Sequence, residues 1–264
     1  MNKFLSILLT ATLLVSCATV PITGRRQVNL LNEQNLMSMS LTQYNGFLEQ
    51  HNTVPSYDKR SKMVMSAGEK LKVACEQFLK SQGKSNRING FEWEFNLVED
   101  ETVNAWCMPG GKVVFYTGIM PICQDETGVA VVMSHEIAHA VARHGNERMS
   151  QQLLVQLGGA TLSVAMSEKP GYTRDLFMLS YGLGSQLGTL AYSRAHESEA
   201  DKMGLVFMEY AGYNSEAAID FWKRMSEQGG QKPPELLSTH PSDEKRINDI
   251  REYIPVAKSY AKKK

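Results

Sequence analysis

Two histidines four residues apart stand out in this sequence because a glutamate directly follows the first of them. His135, Glu136 and His139 lie in the segment SHEIAHAVARHG, residues 134–145. Residues four apart in an α-helix differ by about 40° around its axis, so the two imidazoles can share one metal ion. Glu136 sits beside that face, where a carboxylate can accept a proton from water. Zinc favours imidazole nitrogen, and a catalytic zinc site needs a third protein ligand.

A second segment, SRAHESEADKMG at 193–204, offers candidates for the third ligand. Glu197 is the first of them, because Asp201 follows it by four residues and an aspartate there can accept a hydrogen bond from a ligand histidine. Glu199 points about 200° away from Glu197 on the same helix and is the weaker candidate. His196 is a rival ligand.

A third histidine on the motif helix is a poor ligand candidate. The extended motif of the metzincins would need histidine at position 145 and glycine at position 142, where this sequence has Gly145 and Ala142. His144 is nine residues from His135 and would face the opposite side of one continuous helix. We expect His144 on the solvent side or behind the ligands.

The segment before the motif, NAWCMPGGKVVFYTG at 104–118, is typical of β structure broken by a turn at residues 109–111. An extended peptide substrate needs a strand edge to hold its backbone, and the second half of the segment could supply one. The alternative is a structural core strand. The strand residues in question are Lys112, Val113, Val114, Phe115 and Tyr116.

The elements that must position these residues follow from hydrophobic periodicity. Alternation over 91–100 predicts another strand, and residues such as Leu41, Met65 and Val73 contribute to apolar patterns of roughly helical period. A few strands followed mainly by helices indicate an α+β fold. The predicted helices are 32–50, 58–83, 124–150, 172–211, 214–228 and 242–253.

The N-terminus is typical of a secretory signal, with Lys3, an apolar run and small residues before Cys17. Its ending, LVSC, resembles a bacterial lipobox, which predicts a lipid on Cys17; the alternative is a plain signal peptide cut elsewhere. The apolar run is short for a membrane span. We therefore expect a signal peptide at 1–16, a polar tether at 17–30 and one catalytic domain at 31–264.

Composition narrows the possible partners. The chain has 264 residues with 28 basic and 28 acidic side chains, and this balance argues against nucleic-acid binding. Three cysteines would remain beside a lipidated Cys17. One disulfide with a free thiol and three buried thiols are both compatible with the sequence. These cysteines are Cys75, Cys107 and Cys123.

Four segments together resemble the HtpX/BepA-type zinc endopeptidases, relatives of the CAAX prenyl proteases. They are NAWCMPGGKVVFYTG, SHEIAHAVARHGNER, SRAHESEAD and STHPSDEKRI, and they span about 104–247. The resemblance implies a zincin-like (gluzincin) domain, mostly helical with a small sheet beside the motif helix. It also implies one zinc ion per chain, with Glu136 as the catalytic base. The implied zinc ligands are His135, His139 and Glu197.

The resemblance also brings His240, in the segment STHP, toward the active site. Pro241 restricts the backbone at His240, and Ser242 could cap the helix that follows. His240 would stabilise the oxyanion of the reaction or fill the fourth zinc position at rest; a surface-loop histidine is the alternative.

The segment CATVPITGRRQ looks like the start of the small lipoprotein members of the family. We therefore expect an endopeptidase acting on polypeptides, misfolded or misassembled envelope proteins above all, and anchored in a bacterial cell envelope through its N-terminal lipid. The alternative is an assembly or chaperone-like factor that keeps the metal site and cuts little at rest. The sequence leaves the oligomeric state open.

Overall fold

The computed structural model describes residues 17–157, 170–181, 192–228, 235–240 and 244–262. Its strands are β1 (Cys17–Thr19), β2 (Arg26–Val28), β3 (Glu94–Val98), β4 (Ala105–Met108) and β5 (Lys112–Tyr116). Its helices are α1 (Glu33–Gln50), α2 (Lys59–Ser81), α3 (Met120–Cys123), α4 (Glu126–Ala142), α5 (His144–Leu157), α6 (Pro170–Tyr181), α7 (Arg194–Ala211), α8 (Ala217–Glu227), α9 (Glu235–Thr239) and α10 (Glu244–Ala261). This is the predicted α+β, gluzincin-type fold, mostly helical with a small sheet.

The three-stranded sheet has the order β3-β5-β4, with β3 parallel and β4 antiparallel to β5. Strand β5 is therefore the central strand, and all five of its residues are buried. The prediction that residues 112–116 provide an edge for a peptide was wrong, because both edges of β5 already pair with neighbours. The edge beside the motif helix belongs to β4, which packs against α4.

Helix α4, which carries the histidine motif, is the centre of the core. Residues 128–142 are all buried, and the helix packs against α2, α7 and β4. Asp125 caps its N-terminus by accepting a hydrogen bond from the Gly128 amide at 2.8 Å. A helix buried on every side holds its side chains in fixed positions, which suits a site that must bind one ion.

The predicted helix 124–150 is broken by a left-handed residue. Arg143 has φ +59°, ends α4, and is followed directly by α5, which begins at His144. His144 is fully buried, so the expectation of a solvent-side position was wrong and the expectation of a position behind the ligands holds. The turn at Arg143 brings His144 back toward His139, which a continuous helix would not do.

The segment 17–30 was expected to be a polar tether, but its backbone forms a hairpin. Strands β1 and β2 pair antiparallel, with Thr19 opposite Arg26. Val20 and Gln27 are buried, and the Gln27 amide donates to the Ala142 carbonyl at 2.8 Å. Burial of this side chain at the end of α4 shows that the hairpin packs on the domain. The predicted signal peptide, 1–16, lies outside the described residues.

The amphipathic helices differ from prediction in detail. Leu41, Met65 and Val73 are exposed, because α1 and α2 turn the neighbouring residues inward. Part of the predicted helix 172–211 and both Pro241 and Ser242 lie outside the described residues. Within the described part of the chain, no helix combines the length and apolarity that crossing a bilayer requires.

The three cysteines beyond Cys17 are free thiols buried in the core. Burial raises the pKa of each thiol above its ordinary value. They therefore behave as apolar packing groups, and of the two cysteine arrangements considered the structure has three buried thiols.

Candidate metal centre

Four side chains bring one potential metal-ligating atom each into a single buried cluster. These atoms all lie within 4.8 Å of one another and belong to His135, His139, Glu197 and His240. Helix α4 supplies the first two, α7 supplies the carboxylate, and His240 follows directly after α9. The structure therefore brings together both motif histidines, the first candidate for the third ligand and the histidine of the STHP segment.

The spacing of these atoms suits a small tetrahedral ion. The Nε2 atoms of His135 and His139 are 3.1 Å apart, and each is 3.3 Å from a Glu197 oxygen. Ligands about 2.0–2.1 Å from a tetrahedral zinc ion are roughly 3.3 Å from one another. Nδ1 of His240 lies 3.2 Å from Nε2 of His135 and 2.9 Å from Oε1 of Glu197, which completes a group of four.

Two carboxylate oxygens, one in the cluster and one beside it, have unmet hydrogen-bonding capacity. Oε1 of Glu136 is buried and accepts no hydrogen bond, and Oε2 of Glu197 is buried and accepts none, although Nη1 of Arg246 lies 3.3 Å from it. A buried carboxylate oxygen without a donor is costly unless a cation or an ordered polar group satisfies it. The donor set of nitrogens and one carboxylate, with these unsatisfied oxygens, therefore fits zinc.

Glu136 lies beside the cluster without joining it. Its Oε1 is 3.5 Å from Nε2 of His240, and its side chain is buried. Burial raises the pKa of Glu136 above its ordinary value, against the opposing effect of the charges of His240 and His135. A carboxylate with a raised pKa is a better proton acceptor, which is what a general base near neutral pH requires.

The two motif histidines differ in the direction of their pKa shifts. Burial opposes protonation of His135, but Asp201 and Glu197 outweigh burial and raise the pKa of His135 to about 9. Burial lowers the pKa of His139 well below its usual value, so this imidazole is neutral.

Asp201 and Arg246 form a buried ion pair next to His135, and only Asp201 was predicted from the sequence. Oδ1 of Asp201 is 2.9 Å from Nδ1 of His135, the partner expected for it. The guanidinium of Arg246, on α10, donates to both Asp201 oxygens at 2.8 Å and lies 3.5 Å from the ring centre of Trp222. Arg246 was missed because it is 45 residues from Asp201 in sequence; its only signal was a place in the STHPSDEKRI segment.

The two weaker candidates for the third ligand point elsewhere. Oε2 of Glu199 is 3.0 Å from Nε2 of His144, and Nε2 of His196 is 3.2 Å from Oε2 of Glu147. Neither belongs to the four-atom cluster. Of the candidates on α7, the structure brings only Glu197 to the motif histidines.

A cavity of about 180 Å³ opens beside the cluster, between α7 and α10. Glu197 and Asp201 form part of its wall, and the apolar part of the wall includes Leu205, Ile250 and Tyr253. An apolar space next to a metal cluster is where a protein would hold a side chain of a bound ligand.

Residues 69–254 match peptidase family M48. Mitochondrial metalloendopeptidase OMA1 of Schizosaccharomyces pombe is 33% identical over 246 residues, which cover 90% of this chain and 66% of that relative. The human mitochondrial metalloendopeptidase OMA1 is 30% identical over 247 residues, which cover 90% and 46% respectively. A putative beta-barrel assembly-enhancing protease of Vibrio cholerae is 32% identical over 166 residues, which cover 60% and 34%.

The aligned regions span between about a third and two thirds of the length of these relatives. The family match extends from within α2 to within α10 and so includes every residue of the metal cluster. On this match, and with a metal cluster of the expected composition, the chain belongs to peptidase family M48.

Proposed function

We propose that this protein is a zinc-dependent endopeptidase that cleaves envelope proteins, misfolded or misassembled ones above all. The observation that carries the proposal is the buried group of His135, His139 and Glu197 with Glu136 beside it. The names of its relatives, which are metalloendopeptidases or a protease, support the same activity. The resemblance of four sequence segments to the HtpX/BepA-type endopeptidases, relatives of the CAAX prenyl proteases, supports the same proposal.

A zinc ion held by His135, His139 and Glu197 would polarise the scissile carbonyl and acidify a water molecule. Glu136 would take a proton from the attacking water, and the oxygen of that water would bond to the carbonyl carbon. Glu136 then gives the proton to the peptide nitrogen as the carbon–nitrogen bond breaks. Its buried position beside the cluster and its raised pKa support both roles.

The substrate backbone would lie along the edge of β4. Among the described strands β4 pairs only with β5, so its other edge is free to accept an extended peptide. The packing of β4 against α4, the helix that carries Glu136, supports this position. The cavity lined by Leu205 and Ile250 would then receive an apolar substrate side chain.

The second candidate function is an assembly or chaperone-like factor that keeps the metal and cuts little at rest. The position of His240 Nδ1 favours it, because this atom completes the group of four donors. A closed four-ligand site is typical of structural zinc, whereas catalysis needs an open position. The two candidates differ in whether His240 leaves the metal when a substrate arrives.

For either candidate we propose a bacterial envelope protein with a lipid on Cys17. The lipobox-like LVSC ending supports this attachment. We propose that residues 1–16 are a signal peptide, that residues 17–30 form the N-terminal segment of the mature protein, and that residues 31–264 form the metallopeptidase domain. The segment 17–30 packs on this domain.

The Glu136→Gln variant tests the activity. It should keep about one zinc per chain, measured by elemental analysis, and lose hydrolysis of an unfolded protein such as reduced casein. Glu126→Gln, on the half-buried first turn of the same helix and paired with Lys70, is the matched control and should cleave like the wild type. Cleavage near the wild-type rate by Glu136→Gln would contradict the mechanism. No cleavage by the wild type under any condition would favour the second candidate.

A further inference from the structure

A chain of buried polar contacts connects the N-terminal hairpin to the metal cluster. It begins at His139, whose Nε2 belongs to the ligand group, so its other ring nitrogen is available for a hydrogen bond. That atom, Nδ1, lies 2.9 Å from Nδ1 of His144. The opposite nitrogen of His144, Nε2, lies 3.0 Å from Oε2 of Glu199.

The outer end of the chain is a residue of the hairpin. Arg25 donates to Oε2 of Glu199 from Nε at 2.9 Å and from Nη2 at 2.8 Å. The Thr23 hydroxyl donates to the other oxygen of Glu199 in a short hydrogen bond. Both oxygens of this carboxylate are therefore held by residues 23 and 25, in the loop that joins β1 to β2.

Hydrogen-bond polarity fixes the direction of the chain. When His139 uses Nε2 as a ligand, its proton is on Nδ1 and donates to Nδ1 of His144. His144 must then carry its own proton on Nε2, where it donates to Glu199. Glu199 is ionised and accepts from Arg25. Every donor in this series of hydrogen bonds then has an acceptor, and one arrangement of protons satisfies all of the bonds from His139 to Arg25.

We propose that Arg25 and Glu199 are positioning residues for the metal site, which hold His139 through His144 in the orientation and tautomer that bind the ion. A histidine ligand commonly donates its second nitrogen to a carboxylate, and such partners raise metal affinity. Here an extra imidazole, His144, lies between ligand and carboxylate. The carboxylate is fixed from outside by the hairpin, so the hairpin is part of the catalytic unit. The inference rests on the proposed zinc site.

The hairpin supplies a matched control within the same contact. Arg25 also donates to both oxygens of Glu147, at 2.7 Å each. Glu147 is as buried as Glu199, but it accepts hydrogen bonds from Gln27 and pairs with His196, whose ring stacks on His144 at 4.5 Å, and no hydrogen bond joins Glu147 to His144 itself. Loss of Glu147 should weaken hairpin packing like loss of Glu199, while the path to His139 stays intact.

The test compares zinc affinity with folding stability in the full-length protein. Zinc affinity is measured by competition with a chromogenic chelator, and stability by thermal unfolding of the metal-free protein. Glu199→Gln and Arg25→Ala should each weaken zinc binding about 10–100-fold, as other partners of ligand histidines do. Glu147→Gln should lower stability and leave zinc affinity within about twofold, because the hydrogen bonds of Glu199 with Arg25 and with His144 remain.

The double variant Arg25→Ala/Glu199→Gln should bind zinc no more weakly than Glu199→Gln alone, because both changes break the same chain. If Arg25→Ala does not fold, Arg25→Lys is used in its place. Lysine keeps the positive charge but cannot form the paired hydrogen bonds of the guanidinium, so this variant should give a smaller loss of zinc affinity.

Wild-type affinity in Glu199→Gln would overturn the inference, as would an equal loss in Glu147→Gln. In either case the wild type still binds zinc and the proposed function stands. A wild-type protein that binds no zinc would instead contradict the proposed function itself.

Discussion

Asp201 supports a proposed metal ligand without belonging to the cluster, and its removal should have a graded effect. Asp201→Asn keeps the size of the side chain but weakens the hydrogen bond to His135 Nδ1 and the pairing with Arg246. Zinc affinity should fall about 10–100-fold. Isothermal titration with zinc measures this loss.

Asp249→Asn is the control for Asp201→Asn, because Asp249 is a half-buried residue of α10 that pairs with Lys245 and contacts no proposed ligand in the described structure. It should bind zinc like the wild type. Complete loss of zinc binding by Asp201→Asn, the result expected on removing a ligand such as Glu197, would mean that Asp201 is itself a ligand.

His240 should restrain the enzyme at rest, since its Nδ1 lies among the atoms proposed to hold the ion. His240→Ala should raise the basal cleavage of unfolded casein severalfold and weaken zinc retention only slightly. The rate of peptide release measures cleavage. His51→Ala is the control, because His51 is the one histidine of the chain remote from this cluster and contacts Phe47. A fall in cleavage of roughly a hundredfold or more would instead assign His240 to oxyanion stabilisation.

The sequence predicted the residues of the cluster better than the residues around it. His135 and His139 share a helical face by spacing alone. The segment 193–204 offered three candidates for the third ligand, of which Glu197 was ranked first because Asp201 follows it by four residues. Arg25 and Arg246 were not predicted, because ion pairs between residues 45 to 174 positions apart leave no periodic signal in the sequence. Their contacts depend on how the hairpin and α10 pack.

At the level of elements, the tight start of α4 gives a steric prediction. A Cβ atom at Gly128 would lie 1.9 Å from the Cys123 carbonyl oxygen, which belongs to the backbone and cannot turn aside. Gly128→Ala should therefore destabilise the protein by about 3 kcal/mol or more, at the upper end of single substitutions. Urea unfolding measures the change in free energy.

Gly46→Ala provides the comparison for Gly128→Ala, because a Cβ atom at Gly46, inside α1, would meet no atom within 4 Å. Alanine is the better helix former, so this variant should be stabilised by about 0.5–1 kcal/mol. Equal stability of the two variants would show that the start of α4 adjusts freely.

Most elements could be predicted from periodicity, and the errors have physical causes. Helix α4 was extended through residue 150, because Arg143 adopts a left-handed conformation without the glycine that usually signals one. Strand β5 was taken for an edge, because strand order depends on tertiary pairing rather than on the pattern within a strand. The hairpin at 17–28 was taken for a tether because its strands have only three residues each.

For the whole molecule, the proposed lipid on Cys17 predicts where the protein is found. Cys17→Ser should release the protein from membranes into the soluble fraction, because it removes the proposed lipid and stable attachment needs at least two acyl chains. Fractionation followed by immunoblotting measures the distribution. Cys123→Ala, which removes a buried thiol, should stay with the membranes. Retention of the serine variant after a high-salt wash would contradict a lipid-only anchor.

The hairpin that begins at Cys17 has a consequence for where cleavage can happen. If the lipid is attached to Cys17, it lies on the first residue of the short strand β1. The loop that follows this strand is hydrogen-bonded to α7 through Arg25 and Glu199. No flexible linker would then separate the domain from the membrane, and the proposed metal site would lie at a fixed distance from the bilayer surface. Only polypeptides passing through that thin layer would be cut. Selection of substrates would rest on where a misassembled protein stalls, more than on the sequence of residues around the bond.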